Sequence, residues 1–473
     1  MSLSIAQKRW WIVLIVLQIF LVWTIISFKP IYAVGIILGI GCLFYLLWGS
    51  DQLPKAILLT ILISVILLET RRKFLIKIEE FPIIFVAGFF LLNQLLGNKN
   101  NTKIGPIGKW LTLFLFVVVL STVMGLHHGR SFRAVGGEFI VYFYYLLFFF
   151  VIKSDFSEKW MKYLIYTVIG ATFLISIGYI GLSIATGGGQ RCTSDQQHML
   201  NIGIPLAFSW LLYEKKGWRK AILGLMLIPM GFAVLVTFTR MLWASIPLSL
   251  LLVLFLYLRR EKISIRYFLY AVVSVSAIVL FLLFPIKGLL EKQEALHYAI
   301  KNRITSLTQL KTDPSFLGRA EVISYILPRI QKHPILGVGL GDVVSYRAMP
   351  AGAAIYSLAG EEFSYKFTAF HKVTIPWIDV SYFNVLWKMG ITGLFLFIGL
   401  YIVFINRCWF VFKNTTNNFE KWSSLGIFVS FIELLFISFL SPILVQYRFN
   451  LTWAALMGII ELQAQRIEHK IQN

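Results

Sequence analysis

Three arginines and one aspartate in this sequence sit in contexts that can do chemistry. Arg191 lies in Gly187-Gly188-Gly189-Gln190-Arg191-Cys192-Thr193-Ser194-Asp195-Gln196-Gln197-His198, and Arg240 in Thr237-Phe238-Thr239-Arg240-Met241-Leu242-Trp243. Arg319 lies in Gly318-Arg319-Ala320-Glu321, upstream of His333-Pro334-Ile335-Leu336-Gly337-Val338-Gly339-Leu340-Gly341. Asp379 opens Asp379-Val380-Ser381-Tyr382-Phe383-Asn384, ahead of Gly390 and Gly393. A guanidinium stays charged at any working pH and grips phosphate oxygens with a planar fork. Two or three such forks beside a cavity suit a lipid-linked diphosphate, and a nearby carboxylate can take the proton of an acceptor hydroxyl.

Each residue also has a plainer reading. An arginine at the end of an apolar helix snorkels to lipid headgroups. A glycine run is a turn, and an aspartate just before a helix is an N-cap. The Gly337-x-Gly339-x-Gly341 spacing lacks both the Lys-Ser/Thr of a phosphate loop and the strand context of a dinucleotide fingerprint, so nucleotide binding is set aside. Asp195-x-x-His198 is the nearest approach to a metal-ligand pattern and is too thin to make one; no metal or other cofactor is expected.

The elements that must position these residues are membrane helices. The 473 residues are 58% hydrophobic and only 14% charged, against roughly a quarter charged in soluble domains. The apolar residues come in runs long enough to cross a bilayer, at 10–28, 30–49, 53–68, 81–96, 108–126, 137–152, 160–186, 199–213, 219–238, 242–258, 266–284, 382–405, 423–440 and 447–463. An all-α, polytopic fold of about 12–14 spans is expected. The first run follows Lys8 and Arg9 but has no small-residue cleavage site, and a second apolar run succeeds it at once, so it reads as a span and not a leader. A formal charge of +22 is no mark of nucleic-acid binding, because Lys and Arg fall in short blocks between spans and orient the helices. Cys42, Cys192 and Cys408 are too few for a disulfide framework and read as unpaired.

With a cytoplasmic N-terminus, the basic loops at Lys99/Lys103, Lys153/Lys159, Lys215–Lys220, Arg259–Arg266 and Arg407–Lys421 fall inside. One loop dissents, since Arg71, Arg72, Lys73 and Lys77 fall outside. Three domains are expected: an N-terminal bundle at 1–284, a hydrophilic outer loop at 285–378 with helical character at 287–311 and 317–332, and C-terminal spans at 379–473. By this parity Arg191, Arg240, Arg319 and Asp379 share the outer side.

In order and topology, these features resemble the bacterial O-antigen ligase and O-antigen polymerase superfamily of membrane glycosyltransferases. The resemblance covers roughly residues 108–405. It rests on Arg191 after the seventh span, Arg240 in its Thr-x-Thr-Arg turn, Arg319 at a loop helix before Pro334-x-x-Gly337-Val338-Gly339, and Asp379 ahead of Gly390-x-x-Gly393. It implies a many-helix fold over an outward cavity, capped by the large loop. It also implies an inverting, metal-independent transfer of glycan from an undecaprenyl diphosphate carrier, with Arg191, Arg240 and Arg319 on the diphosphate. The ligases carry His-Asn where this chain has Asp379-Val380, and a carboxylate there is familiar among the polymerases. The resemblance therefore implies a polymerase of O-antigen or exopolysaccharide repeat units, with Asp379 as base and His371 as a second source of one. A ligase acting on lipid A-core is the alternative, and a lipid-linked oligosaccharide flippase is the alternative of another class. The expected setting is the bacterial cytoplasmic membrane. The expected partners are the undecaprenyl-diphosphate-linked oligosaccharide, membrane lipids and a chain-length regulator, with no nucleic acid.

Overall fold

The computed structural model describes residues 104–154, 156–185, 195–237, 239–264, 266, 314–347, 372–375, 378, 380–445 and 447–473. The expected spans at 10–28, 30–49, 53–68 and 81–96, most of 266–284, and the loop helix at 287–311 lie outside the described residues. So do Arg191, His371 and Asp379.

In chain order the helices are α1 (Pro106–His127), α2 (Phe132–Phe143), α3 (Leu146–Lys153), α4 (Glu158–Ala185), α5 (Leu200–Tyr213), α6 (Gly217–Val236) and α7 (Arg240–Arg260). After these come α8 (Pro314–Lys332), α9 (Ser381–Asn414), α10 (Asn418–Ile437) and α11 (Tyr447–Gln472). Six apolar stretches among the described residues are long enough to cross a membrane: Pro106–His127, Phe132–Lys153, Glu158–Ala185, Gly217–Val236, Met241–Arg260 and Ser381–Asn414. The chain is a multi-pass membrane protein. Helix α5, at 14 residues, is short for a span. Helices α10 and α11 cover most of the expected runs at 423–440 and 447–463.

The expected loop at 285–378 holds one element besides its helix among the described residues. Helix α8 covers the expected 317–332 segment, with Pro314 at its first position, where a missing amide hydrogen costs nothing. The loop also contains an antiparallel ladder, β1 (Val344–Arg347) with β2 (Lys372–Ile375), in the register Val344↔Ile375 to Arg347↔Lys372. The β-branched residues Val344, Val373, Thr374 and Ile375 favour extended backbone.

By contacts the chain forms two compact units, Met1–Thr102 with Phe150–Thr167, and Lys103–Phe149 with Val168–Asn473. In the first, the described residues show a Phe150–Phe156 ring contact at 6.5 Å and a Glu158–Lys162 ion pair. Everything below concerns the second.

Two antiparallel helix pairs frame that unit. Helix α1 runs against α9: Trp110 meets Phe395 at 6.0 Å, Phe114 meets Phe397 at 5.4 Å, and Ser121 Oγ donates to the Lys388 carbonyl at 2.8 Å. Helix α5 runs against α10, where Trp210 and Trp422 stack at 5.3 Å and Ser209 Oγ donates to the Trp422 carbonyl at 2.7 Å. Between the pairs, Phe431 packs on Tyr401, Phe404 and Trp453 with centroids 4.8–4.9 Å apart. In lipid the driving force for such packing is dispersion and shape rather than expulsion of water.

A candidate active site at a broken helix

Helix α9 is interrupted at Gly390, whose φ of 66° and ψ of −167° are outside the helical region. A break in a membrane helix strands two carbonyls and two amides, which in an apolar setting must find other partners. In an unbroken helix Ile391 would donate to Trp387 and Thr392 to Lys388. Here the Pro334–Gly339 segment takes both halves of those bonds. Val338 N donates to the Trp387 carbonyl at 3.0 Å and Gly339 N to the Lys388 carbonyl at 3.1 Å. Ile391 N donates to the Pro334 carbonyl at 2.8 Å and Thr392 N to the Ile335 carbonyl at 3.2 Å.

This docking needs close backbone approach, and that explains the glycines. Gly337 and Gly339 have φ of 71° and 87°. A Cβ on Gly337 would lie 2.5 Å from the Lys388 carbonyl carbon, and one on Gly390 2.3 Å from the Ile335 carbonyl oxygen. A Cβ on Gly339 would meet the Gly125 amide nitrogen of α1 at 2.5 Å. The Gly-x-Gly-x-Gly run is thus a plug for the broken helix.

The residue after the plug, Asp342, is buried and anchors a charged network. Arg329 of α8 donates to Asp342 Oδ2 at 2.7 Å, Arg130 from the α1–α2 turn pairs with Oδ1, and Trp387 Nε1 donates to Oδ2 at 3.1 Å. Lys388, 2% exposed, reaches Glu138 Oε1 of α2 at 2.8 Å and also donates to the Asp342 carbonyl. Glu138 Oε2 in turn accepts from Gly341 N at 2.9 Å. Buried charges survive when paired and hydrogen-bonded on several sides, and this network meets that condition through five separate elements. Arg130 and Arg329 keep 37% and 38% of their side chains exposed, whereas Asp342 keeps 1%. The cluster is therefore closed beneath and open above.

The start of α9 is fixed on the same side. Ser381 N donates to the Ser438 carbonyl at 3.0 Å, and Ser381 Oγ donates to the Ser441 carbonyl at 2.9 Å. Ile378 and Val380, the neighbours of Asp379, are buried with Val322, Ile326, Ile330, Val338, Val344 and Trp387 in one apolar cluster. The N-cap position of α9 falls on Val380, with no side-chain capping bond.

The other two sequence features lead to the starts of α5 and α7. The 3-10 turn Asp195–Met199, which continues the Arg191 segment, is tied to the Thr-x-Thr-Arg turn by Thr239 Oγ1 donating to Gln197 Oε1 at 3.0 Å. Arg240 is the first residue of α7, whose opening bonds run from Leu242 N and Trp243 N to the Thr239 carbonyl at 2.9 and 3.2 Å. Arg319 sits half-buried in α8. Thus the 3-10 turn Asp195–Met199 meets the turn before Arg240, and α8, bearing Arg319, packs on the residues flanking Asp379.

Sequence reasoning passed over Arg130, Glu138, Arg329, Asp342 and Lys388. A signal was present for two of them, since Glu138 and Lys388 are isolated charges inside apolar runs, and such residues mark function or a buried partner. Nothing in the sequence pairs one with the other.

Residues 225–398 match the family model described as O-Antigen ligase. That segment contains Arg240, Arg319, the glycine plug, Asp379 and the break at Gly390. No curated protein matches the chain.

Proposed function

We propose that this chain, a member of the O-antigen ligase and polymerase superfamily through residues 225–398, polymerises lipid-linked glycan repeat units at the outer face of a bacterial cytoplasmic membrane. The observation that carries the reading is the assembly of the matched segment. The plug, the broken α9 and the helix bearing Arg319 converge on the residues either side of Asp379, while Gln197 accepts a hydrogen bond from Thr239, the neighbour of Arg240.

In the proposed step the hydroxyl of one lipid-linked unit attacks the anomeric carbon of a second, opposite its diphosphate. The C–O bond to the diphosphate breaks and its electron pair leaves with the undecaprenyl diphosphate, inverting the centre. Asp379 takes the hydroxyl proton, with His371 as the alternative base. Arg191 and Arg240, helped by Arg319, neutralise the charge that grows on the leaving diphosphate, a task that planar guanidinium forks perform in a low-dielectric site. Aspartate in place of the His-Asn pair of the ligases supports polymerase over ligase. The description of the matched family favours the ligase as second reading.

Purified protein given an undecaprenyl-diphosphate-linked repeat unit should make lipid-linked dimers and longer chains, with no requirement for lipid A-core. Arg191→Lys and Arg240→Lys keep the charge and lose the fork, and each should lower single-turnover transfer more than tenfold at unchanged expression. Transfer to lipid A-core alone would replace the polymerase reading with the ligase. Normal transfer by both lysine variants would reduce the arginines to headgroup anchors.

A further inference from the structure

The open side of the Asp342 cluster is a basic rim set over an apolar wall, and neither the glycan transfer nor the family match gives it a task. The end of α1, the α1–α2 turn and the start of α2 present His127, His128 and Arg133 exposed, with Arg130 half-exposed beside them. The end of α8 presents Lys332 and His333 exposed, with Arg329 half-exposed. These two elements are adjacent: the rings of His128 and His333 lie 6.0 Å apart, and Arg130 and Arg329 share the one carboxylate of Asp342. Glu138 and Lys388 neutralise each other beneath. Arg130, Arg133, Arg329 and Lys332 against Asp342 leave the rim strongly cationic even with neutral histidines.

The wall beneath is apolar and exposed. Ile335 is 68% exposed, Ile391 60% and Phe395 64%. The bonds from Ile391 and Thr392 to Pro334 and Ile335 place Ile335 beside Ile391, and Phe395 follows one turn along α9. Phe132, at 70% exposed, adds a ring from the α1–α2 side. Cations above a continuous apolar face match the profile of a lipid, with its phosphate at the rim and its chain along the wall.

We propose that this rim and wall form a seat for an anionic phospholipid of the surrounding leaflet, phosphatidylglycerol in chemical class, held by Arg133 and Lys332 with Arg130 and Arg329 behind them. A bulk phospholipid suits the site better than the diphosphate carrier. The two central arginines are already engaged by Asp342, and the wall lies on the bundle's exposed flank rather than at the Gln197–Thr239 junction assigned to the diphosphate.

The test uses the full chain in nanodiscs, released into mild detergent, with retained lipid counted by native mass spectrometry. Phosphatidylglycerol, phosphatidylcholine and undecaprenyl diphosphate are compared for the parent and an Arg133→Ala/Lys332→Ala variant. Both positions are exposed, so folding is preserved, and a thermal melt checks it. The parent should retain phosphatidylglycerol over phosphatidylcholine. The variant should lose roughly ten- to thirtyfold of that preference, as expected for two surface charges near an anionic headgroup, while keeping undecaprenyl diphosphate. Equal retention of phosphatidylglycerol by parent and variant would overturn the seat. Loss of undecaprenyl diphosphate alone would overturn it too, by making the rim a substrate subsite.

Discussion

The two ends of α1 each carry a buried ionic cluster, and the contrast between them separates positioning from clamping. Near the start of α1, Arg407 of α9 pairs with Glu461 of α11 at 2.7 Å and also with Glu468, and Glu461 accepts from Ile107 N at 3.4 Å. Near its end, Asp342, Arg130, Arg329, Glu138 and Lys388 interlock. Ser121, which touches the second cluster, is 14 residues beyond Ile107, or about 21 Å along the helix. The Arg407 cluster is carried wholly by regular helices. The Asp342 cluster hangs from a turn, a plug and a broken helix, and its arginines reach solvent. One holds α1, α9 and α11 in register, whereas the other also sets the half of α9 that follows Asp379.

Gly390→Ala should have the largest effect. It puts a Cβ 2.3 Å from the Ile335 carbonyl at a φ of 66°, so the plug cannot seat and the bonds made good by it are lost. The backbone term alone is about 2 kcal/mol. Transfer should fall below a tenth of the parent's in folded protein, and retention of full transfer would mean the break does not position the site.

Asp342→Asn follows. Losing the carboxylate's charge-assisted hydrogen bonds costs about 2 kcal/mol, because the arginines left behind reach solvent, and it frees Arg130 and Arg329 to move away from the half-helix. A lowered melting temperature together with at least a fivefold drop in single-turnover transfer is expected. Arg407→Met supplies the control, because it leaves fully buried Glu461 uncompensated at a cost of about 3 kcal/mol. Its folded fraction should transfer normally, and adding Glu461→Gln should recover most of the melting temperature. If Arg407→Met impairs transfer as severely as Asp342→Asn, the distinction between clamp and positioning network collapses.

Sidedness sharpens the same contrast. With native cysteines replaced, Gln331→Cys beside the Asp342 cluster should react with an impermeant reagent in intact cells. Thr416→Cys, beyond the Arg407 cluster, should not. Labelling in the opposite sense would place the proposed chemistry on the cytoplasmic face.

The smallest effect is expected at the α5–α6 turn. Partial burial raises the Glu214 carboxyl, but hydrogen bonds from Lys216 N, Trp210 Nε1 and Lys215 N, with Arg219 nearby, outweigh it and hold the group below its ordinary range. A depressed carboxyl contributes stability above its unfolded pKa and loses it as pH falls through the folded value. Glu214→Gln should therefore flatten a slight fall in melting temperature on acidification, and an unchanged pH slope would remove that role.

Apolar runs alone determined that this chain is a bundle of membrane helices, because a span must satisfy its backbone locally and advertises that in some twenty successive residues. The order of Arg191, Arg240, Arg319, Pro334-x-x-Gly337 and Asp379 was equally legible, and all of these except Arg191 fall within the family match over 225–398. The glycine plug was visible as letters but not as a plug, since the carbonyls it satisfies lie some fifty residues onward at Trp387 and Lys388. Likewise Glu138 and Lys388 each showed as an isolated charge in an apolar run, while their pairing spans 250 positions. Only the tertiary structure decided that these charges meet around Asp342 and that Gly390 breaks α9 there. A backbone break or buried charge is affordable only where distant segments supply its partners, and no local pattern encodes that supply.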